Sequence, residues 1–170
     1  NTSAITHVPL ALFNWTRIER AENWPQYHYM TPRVSCAIEA IDAERLAVAG
    51  AFGIEVRSVK KHFSQSFKTE GERLEDIAAE LHKKRGGPPG PTQIDTRYLS
   101  EDVPYGLVFL LALGRVANVE MPYTQAMISM AELIIGEDFL AGNDLIDHLG
   151  LASSSVERLL SRVRVSGVVI

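Results

Sequence analysis

Between Thr31 and Gly53 the apolar side chains Val34, Ile38, Ile41, Val48 and Phe52 recur at steps of three, four and seven, a spacing that lines one face of a helix and not of a strand. Both ends of the run are marked. Thr31-Pro32 sets a capping hydroxyl beside a proline whose missing N–H is no loss in a first turn, and Gly53 stands where a left-handed residue would end the helix. A long core helix is expected here, and the rest of the chain must be arranged about it.

The same period returns elsewhere. Residues 72–84, ERLEDIAAELHKK, place Leu74, Ile77, Ala78 and Leu81 on one side and charges on the other, as in an amphipathic surface helix. Val103 to Ala117 predicts an apolar helix, and Pro122 to Ile135 another in which Met127, Met130 and Ile134 share a core-facing stripe. Ser154 and Glu157 have the spacing of a capping box before a last helix that carries Leu159, Leu160 and Val163. The run Arg85 to Pro91, RGGPPGP, lacks donors and is too permissive to continue a helix or a central strand, so it reads as a loop dividing the chain. Alternating strands are scarce, and no repeat of 20 to 50 residues is visible. The fold class is all-α, with residues 1–170 as one helical domain.

A chain of 170 residues, 46% of them hydrophobic, can bury the core of one ordinary domain. The net charge of -4 and the even scatter of Lys and Arg leave no basic stripe for nucleic acid. Gly106 to Leu113, the longest apolar stretch, is too short to cross a bilayer, and no membrane association is expected. A lone cysteine, Cys36, excludes an internal disulfide and fits a reducing compartment, so a cytoplasmic location is expected. The first residue, Asn1, is not Met and leads directly into an apolar segment, which predicts a preceding N-terminal partner.

No G-x-G-x-x-G follows a strand and no G-x-x-x-x-G-K occurs, so a nucleotide would be bound mainly outside this segment. None of the five histidines pairs with a carboxylate or cysteine at a metal-ligand spacing, and no metal is predicted. His62 and His82 fall on polar helix faces, and His148 sits near a helix C-terminus that favours a cation. His28, between Tyr27 and Tyr29, reads as aromatic packing, with a pocket-lining role second. His7, in the opening NTSAITHVP, reads from the residues alone as a linker histidine. The segment Thr96 to Gly106, TRYLSEDVPYG, gathers Arg97, Glu101, Asp102, Tyr98 and Tyr105 before an apolar helix. Its plainest reading is a helix entrance capped by Asp102. A cap would also hold that carboxylate ionised and fixed, as a partner orienting a histidine requires.

Taken together, these segments resemble the helical domain of the octopine and nopaline (opine) dehydrogenase family. The likeness rests on the Asn1-to-Asn14 opening with His7 and Pro9, on Thr31-Pro32 with Asp42-Ala-Glu44-Arg45, and above all on TRYLSEDVPYGLV. Met121-Pro122 and the LIDHLGL stretch from Leu145 to Leu151 extend it, whereas residues 60 to 90 match poorly. The sequence departs from the pattern at Val8, which separates His7 from Pro9. The resemblance implies a multi-helix domain similar to the C-terminal fold of 6-phosphogluconate dehydrogenase, partnered by an N-terminal Rossmann domain that holds NAD or NADP. It implies a reductive condensation of an amino acid with a 2-oxo acid. His7 would be the general acid/base, Asp102 its orienting carboxylate, Arg97 the grip on a substrate carboxylate, and Asn1 a neighbour of the nicotinamide. A homodimer is compatible with the apolar ends.

Two rivals stand beside this expectation. One is a noncatalytic helical module for dimerisation or partner binding, with His7 a linker residue and Asp102 a cap. The other is a reductase of the ketopantoate or glycerol-3-phosphate type, which would use a lysine as acid. Neither the His7 segment nor the 96–106 segment carries a lysine, which favours the opine pattern.

Overall fold

The computed structural model describes residues 2–141 and 143–164, and among these the regular structure is helical, with no strand and an isolated antiparallel bridge between Pro25 and Pro89. The innermost element is α1, Ser3–Phe13, which buries Ala4, Ile5, Val8, Leu10, Ala11 and Leu12. It packs against α3 (Pro32–Ala51), α6 (Arg97–Ser100), α8 (Pro122–Ile135) and the helical stretch that starts at Val103. A helix enclosed on so many sides is apolar nearly all round and shows no periodic face, which is why the pattern of Ser3–Phe13 reads as an apolar segment rather than a helix. Pro9 lies inside α1 and gives the preceding turn no N–H, a second signal against a helix that burial overrides. After the short α2, Trp15–Glu19, the chain crosses to the long helix.

That helix, α3, begins at Pro32 as expected, although the Thr31 hydroxyl makes no capping bond, so the proline and the extended Thr31 backbone mark the start. It ends with Phe52 as the C-cap, followed by Gly53 at φ +70°. Ile38, Ile41 and Val48 enter the core. On its inner side α3 also buries Asp42, Glu44 and Arg45. Asp42 accepts from Arg45 Nε at 2.8 Å and from the Val59 N–H at 2.7 Å, the first donor of α4, Val59–Phe67. Glu44 accepts from the N–H groups of Tyr123 and Thr124, each at 2.8 Å, and from the Thr124 hydroxyl at 2.6 Å. Two carboxylates of α3 thus satisfy the otherwise orphaned donors at the starts of α4 and α8, where the helix dipoles favour negative charge. Arg45 closes the bracket by donating to the Arg57 carbonyl at 2.6 Å.

The next helix, α5, spans Leu74–Arg85 and buries Leu74, Ile77, Ala78 and Leu81, the four residues expected inside. The Gly/Pro run after it is a loop, but it joins the chain rather than dividing it. Gly90 N–H donates to the Trp24 carbonyl at 2.7 Å, the Trp24 indole N–H donates to the Pro91 carbonyl at 3.0 Å, and Gln26 N–H reaches the Pro88 carbonyl at 3.2 Å. A Cβ on Gly90 would stand 2.1 Å from the Trp24 ring, so only glycine lets the loop seat on the fully buried indole.

The expected single helix from Val103 to Ala117 is in fact two segments. Val103–Val108 forms a π-helical turn, with Leu107 N–H bonding back to the Asp102 carbonyl at 3.0 Å, and α7 follows over Phe109–Val116. Pro104 supplies the physical reason, since it cannot donate and crowds the preceding turn. Its carbonyl is taken by the buried Asn143 side-chain amide at 2.5 Å. On α8 the buried face is Thr124, Met127, Ile128 and Ala131, so the methionine stripe is rotated and Met130 is 37% exposed. Beyond α9, Asp144–Leu149, the last helix among the described residues is α10, Val156–Arg164. Its cap is Ser155, which accepts from Arg158 N–H at 3.3 Å, one residue later than the expected Ser154. The apolar tail from Val165 lies outside the described residues.

Candidate active site

The first turns of α1 meet the α6-to-π corner at two successive rungs. At one rung Gly106 lies against Ala4, so close that a Cβ on Gly106 would fall 2.4 Å from the Ala4 methyl. One turn later on α1 and one turn earlier on the facing segment, His7 meets Asp102. The imidazole Nδ1 donates to Asp102 Oδ2 at 2.8 Å, with the two side chains 27% and 18% exposed. An ionised carboxylate can only accept, so the hydrogen is on Nδ1 and the neutral ring leaves its Nε2 lone pair available. Asp102 stands at the helix entrance but caps nothing with its side chain, so its carboxylate serves the histidine and not the turn.

His7 is therefore not a linker residue but a mid-helix side chain, flanked by the buried Thr6 and the fully buried Val8. Tyr98 of α6 lies flat on it, ring centroids 3.9 Å apart and planes 4° from parallel. The Tyr98 hydroxyl donates to Oε1 of the buried Gln26 at 2.6 Å. Burial pushes the Tyr98 phenol above its ordinary range, and the nearby Asp102 and Tyr27 add to the rise, while the Gln26 bond opposes it. The phenol therefore stays protonated and a donor.

Ser3, His7, Arg97, Tyr98, Glu101, Asp102, Tyr105 and Gly106 line a cleft of about 650 Å³. Arg97 pairs with Glu101 at 2.8 Å, at 82% and 54% exposure. The bonded Glu101, with Asp102 further off, holds the guanidinium above its usual range. An ion pair this exposed is screened by solvent and adds little, so Arg97 is free to exchange partners at little cost. The cleft thus holds a histidine fixed by a carboxylate and a forked cation that can receive an anion. An apolar cavity adjoins it across Tyr105 and Gly106, lined by Val48, Phe52, Ile54, Phe109 and Leu113 among others.

The remaining candidates are elsewhere. His28 is exposed, edge-on to Tyr29 and 4.9 Å from the His82 ring, and His62 touches Phe63. His148 bonds the Asp144 carbonyl in the last turn of α9. Asn1 lies outside the described residues. No group of three or more His, Cys, Asp or Glu side chains is gathered as a metal site among the described residues. These residues also form no strand, and hence no strand, glycine turn and helix unit that could cradle a dinucleotide pyrophosphate. Tyr98 and Gln26 carry no signal of a site role when read as residues in a chain, because one looks like a motif aromatic and the other is 72 positions away.

Residues 1–135 match the family model described as NAD/NADP octopine/nopaline dehydrogenase, alpha-helical domain. An opine dehydrogenase from Arthrobacter sp. (strain 1C) is 32% identical over 96% of this chain and 45% of its own length. The D-nopaline dehydrogenase of Agrobacterium tumefaciens (strain T37) is 26% identical over 91% of this chain and 41% of its own length. The chain thus spans less than half the length of these relatives. Among solved structures, an octopine dehydrogenase in complex with NADH and L-arginine superposes with a TM-score of 0.63 at 18% identity, covering 79% of this chain and 39% of that one. At that identity the likeness concerns the fold. No helix among the described residues is long and apolar enough to cross a membrane.

Proposed function

This chain belongs to the NAD/NADP octopine/nopaline dehydrogenase family by its alpha-helical domain, and on that premise we propose that it is the substrate and acid-base half of an opine dehydrogenase. The observation that carries the reading is the 2.8 Å His7–Asp102 bond in a cleft that also presents Arg97. The reaction is the condensation of an amino acid's amine with the carbonyl of a 2-oxo acid, loss of water to an imine, and reduction of the imine to a secondary amine. Reduced NAD or NADP supplies the hydride, held mainly by a nucleotide-binding domain elsewhere in the whole protein.

Within this chain the roles follow from chemistry. Protonated His7 gives its Nε2 proton to the substrate oxygen as that oxygen departs, and in the reverse direction takes a proton from the attacking water. Asp102 keeps the ring in one tautomer and stabilises its cation. Arg97 leaves Glu101 to hold a substrate carboxylate through two parallel N–H bonds, which places the reacting carbon against the histidine.

The test is consumption of NADH or NADPH by the full-length protein with pyruvate or 2-oxoglutarate, each against a panel of amino acids. Consumption that needs both partners is expected. Consumption with the oxo acid alone would point to a simple carbonyl reductase, and none with any pair would favour a noncatalytic helical module.

A further inference from the structure

We propose that Tyr98, anchored by Gln26, is a positioning residue that lays its phenol face on His7, fixing the plane of the imidazole and favouring its protonated form. The inference rests on the acid-base reading of His7 and extends it to two residues that carry no assigned role.

The Asp102 bond at 2.8 Å fixes one point of the His7 ring. A single hydrogen bond still lets an imidazole tilt about the Nδ1–carboxylate line, and such tilting would swing Nε2 away from a substrate oxygen. A second constraint normal to the ring removes that freedom. Tyr98 supplies it, since the two planes are parallel to within 4° at a centroid distance of 3.9 Å. Parallel contact at this separation is also where a ring face attracts a cation, so the imidazolium gains relative to the neutral ring.

The phenol must itself be held, and the fold does this from a distant segment. Gln26, buried in the short turn Gln26–Tyr29, accepts the Tyr98 hydroxyl at 2.6 Å. That turn is tied by its Gln26 N–H to the Pro88 carbonyl, in the loop whose Gly90 and Pro91 clasp Trp24. The glycine- and proline-rich loop therefore buttresses the site without lining it. Because the phenol is held above its ordinary titration range, it presents a neutral donor to Gln26 and a neutral face to His7.

The other groups around the histidine do not duplicate this role. Asp102 is bonded to Nδ1, Arg97 and Glu101 are paired with each other, and Tyr105 lines the cleft without a ring contact to His7.

The discriminating experiment is the pH profile of log kcat/KM in the reductive direction for the full-length enzyme and its Tyr98→Phe, Tyr98→Leu and His7→Ala variants. Loss of the ring face in Tyr98→Leu should move the alkaline limb to lower pH by about 0.4–1.5 units, the equivalent of a surface-to-desolvated cation–π contact. It should also lower kcat. Tyr98→Phe keeps the stacked face and should keep the wild-type limb, with at most a several-fold loss of rate from the unpaired Gln26. If the Leu and Phe variants share the wild-type limb, or if both move it equally, the positioning role is overturned. The reading beneath it fails separately, through a His7→Ala variant that retains wild-type turnover.

Discussion

Two clusters of charged side chains lie about α3 and α1, and their difference shows what a carboxylate is for. In the Asp42–Glu44–Arg45 cluster all three residues are buried, and the carboxylates are consumed by partners inside the protein: Arg45 and the Val59 N–H for Asp42, the start of α8 for Glu44. In the His7–Asp102 cluster the pair is half-buried at the wall of a cleft and, among the described residues, is joined by the Nδ1–carboxylate bond with Nε2 left for a visitor. Both clusters sit in segments that resemble the same family. Only the second keeps a valence open at a cleft. Structural charge is therefore recognised by completion, and chemical charge by the group left over.

That contrast can be broken by substitution. The largest effect should come from His7→Ala in the full-length enzyme, with turnover lowered about a hundredfold to ten-thousandfold, the usual scale for an acid-base group. Its thermal midpoint should change little, because the side chain is already partly in solvent and Val8 and Pro9 hold the helix. Asp42→Ala should do the reverse. Removing one partner of a buried pair strands Arg45 and leaves the Val59 N–H unpaired, a loss of about 3–5 kcal/mol by denaturant titration. The turnover of the molecules that remain folded should be close to wild type. A His7→Ala enzyme that unfolds early, or an Asp42→Ala enzyme that stays stable while losing turnover, would reverse the assignment of the two clusters.

Much of the outer architecture was legible from periodicity. Helices with one wet face, such as Leu74–Arg85 and Pro32–Ala51, announce themselves because burial selects apolar residues at helical steps. The innermost helix did not, since Ser3–Phe13 is enclosed and so has no polar face to set the period, and it contains Pro9. The π turn at Val103–Val108 was equally hidden, because an added residue per turn leaves composition unchanged. For the site, the family resemblance pointed to His7, Asp102 and Arg97, while the residues alone read a linker and a cap. The pairing of His7 with Asp102 depends on the Ala4–Gly106 contact, a relation across about a hundred positions that no local pattern encodes. Tyr98 and Gln26 share that difficulty, since their roles exist only once two remote turns have met.

The same cleft offers a smaller and sharper test at Arg97. Its contact with Glu101 is so exposed that neither partner should matter to stability, and Arg97→Lys should leave the thermal midpoint nearly unchanged. Lysine preserves the positive charge but not the planar fork, so it can meet a carboxylate at a single point. If Arg97 holds a substrate carboxylate by two parallel bonds, losing one charge-assisted bond should raise the KM for that substrate about tenfold or more. The value of kcat should fall far less than in His7→Ala, because the acid-base group stays in place. Steady-state kinetics with each substrate varied in turn would identify which carboxylate is held. Equal KM values in wild type and Arg97→Lys would reduce Arg97 to a surface charge paired with Glu101, and the open valence of the cleft would then rest on His7 alone.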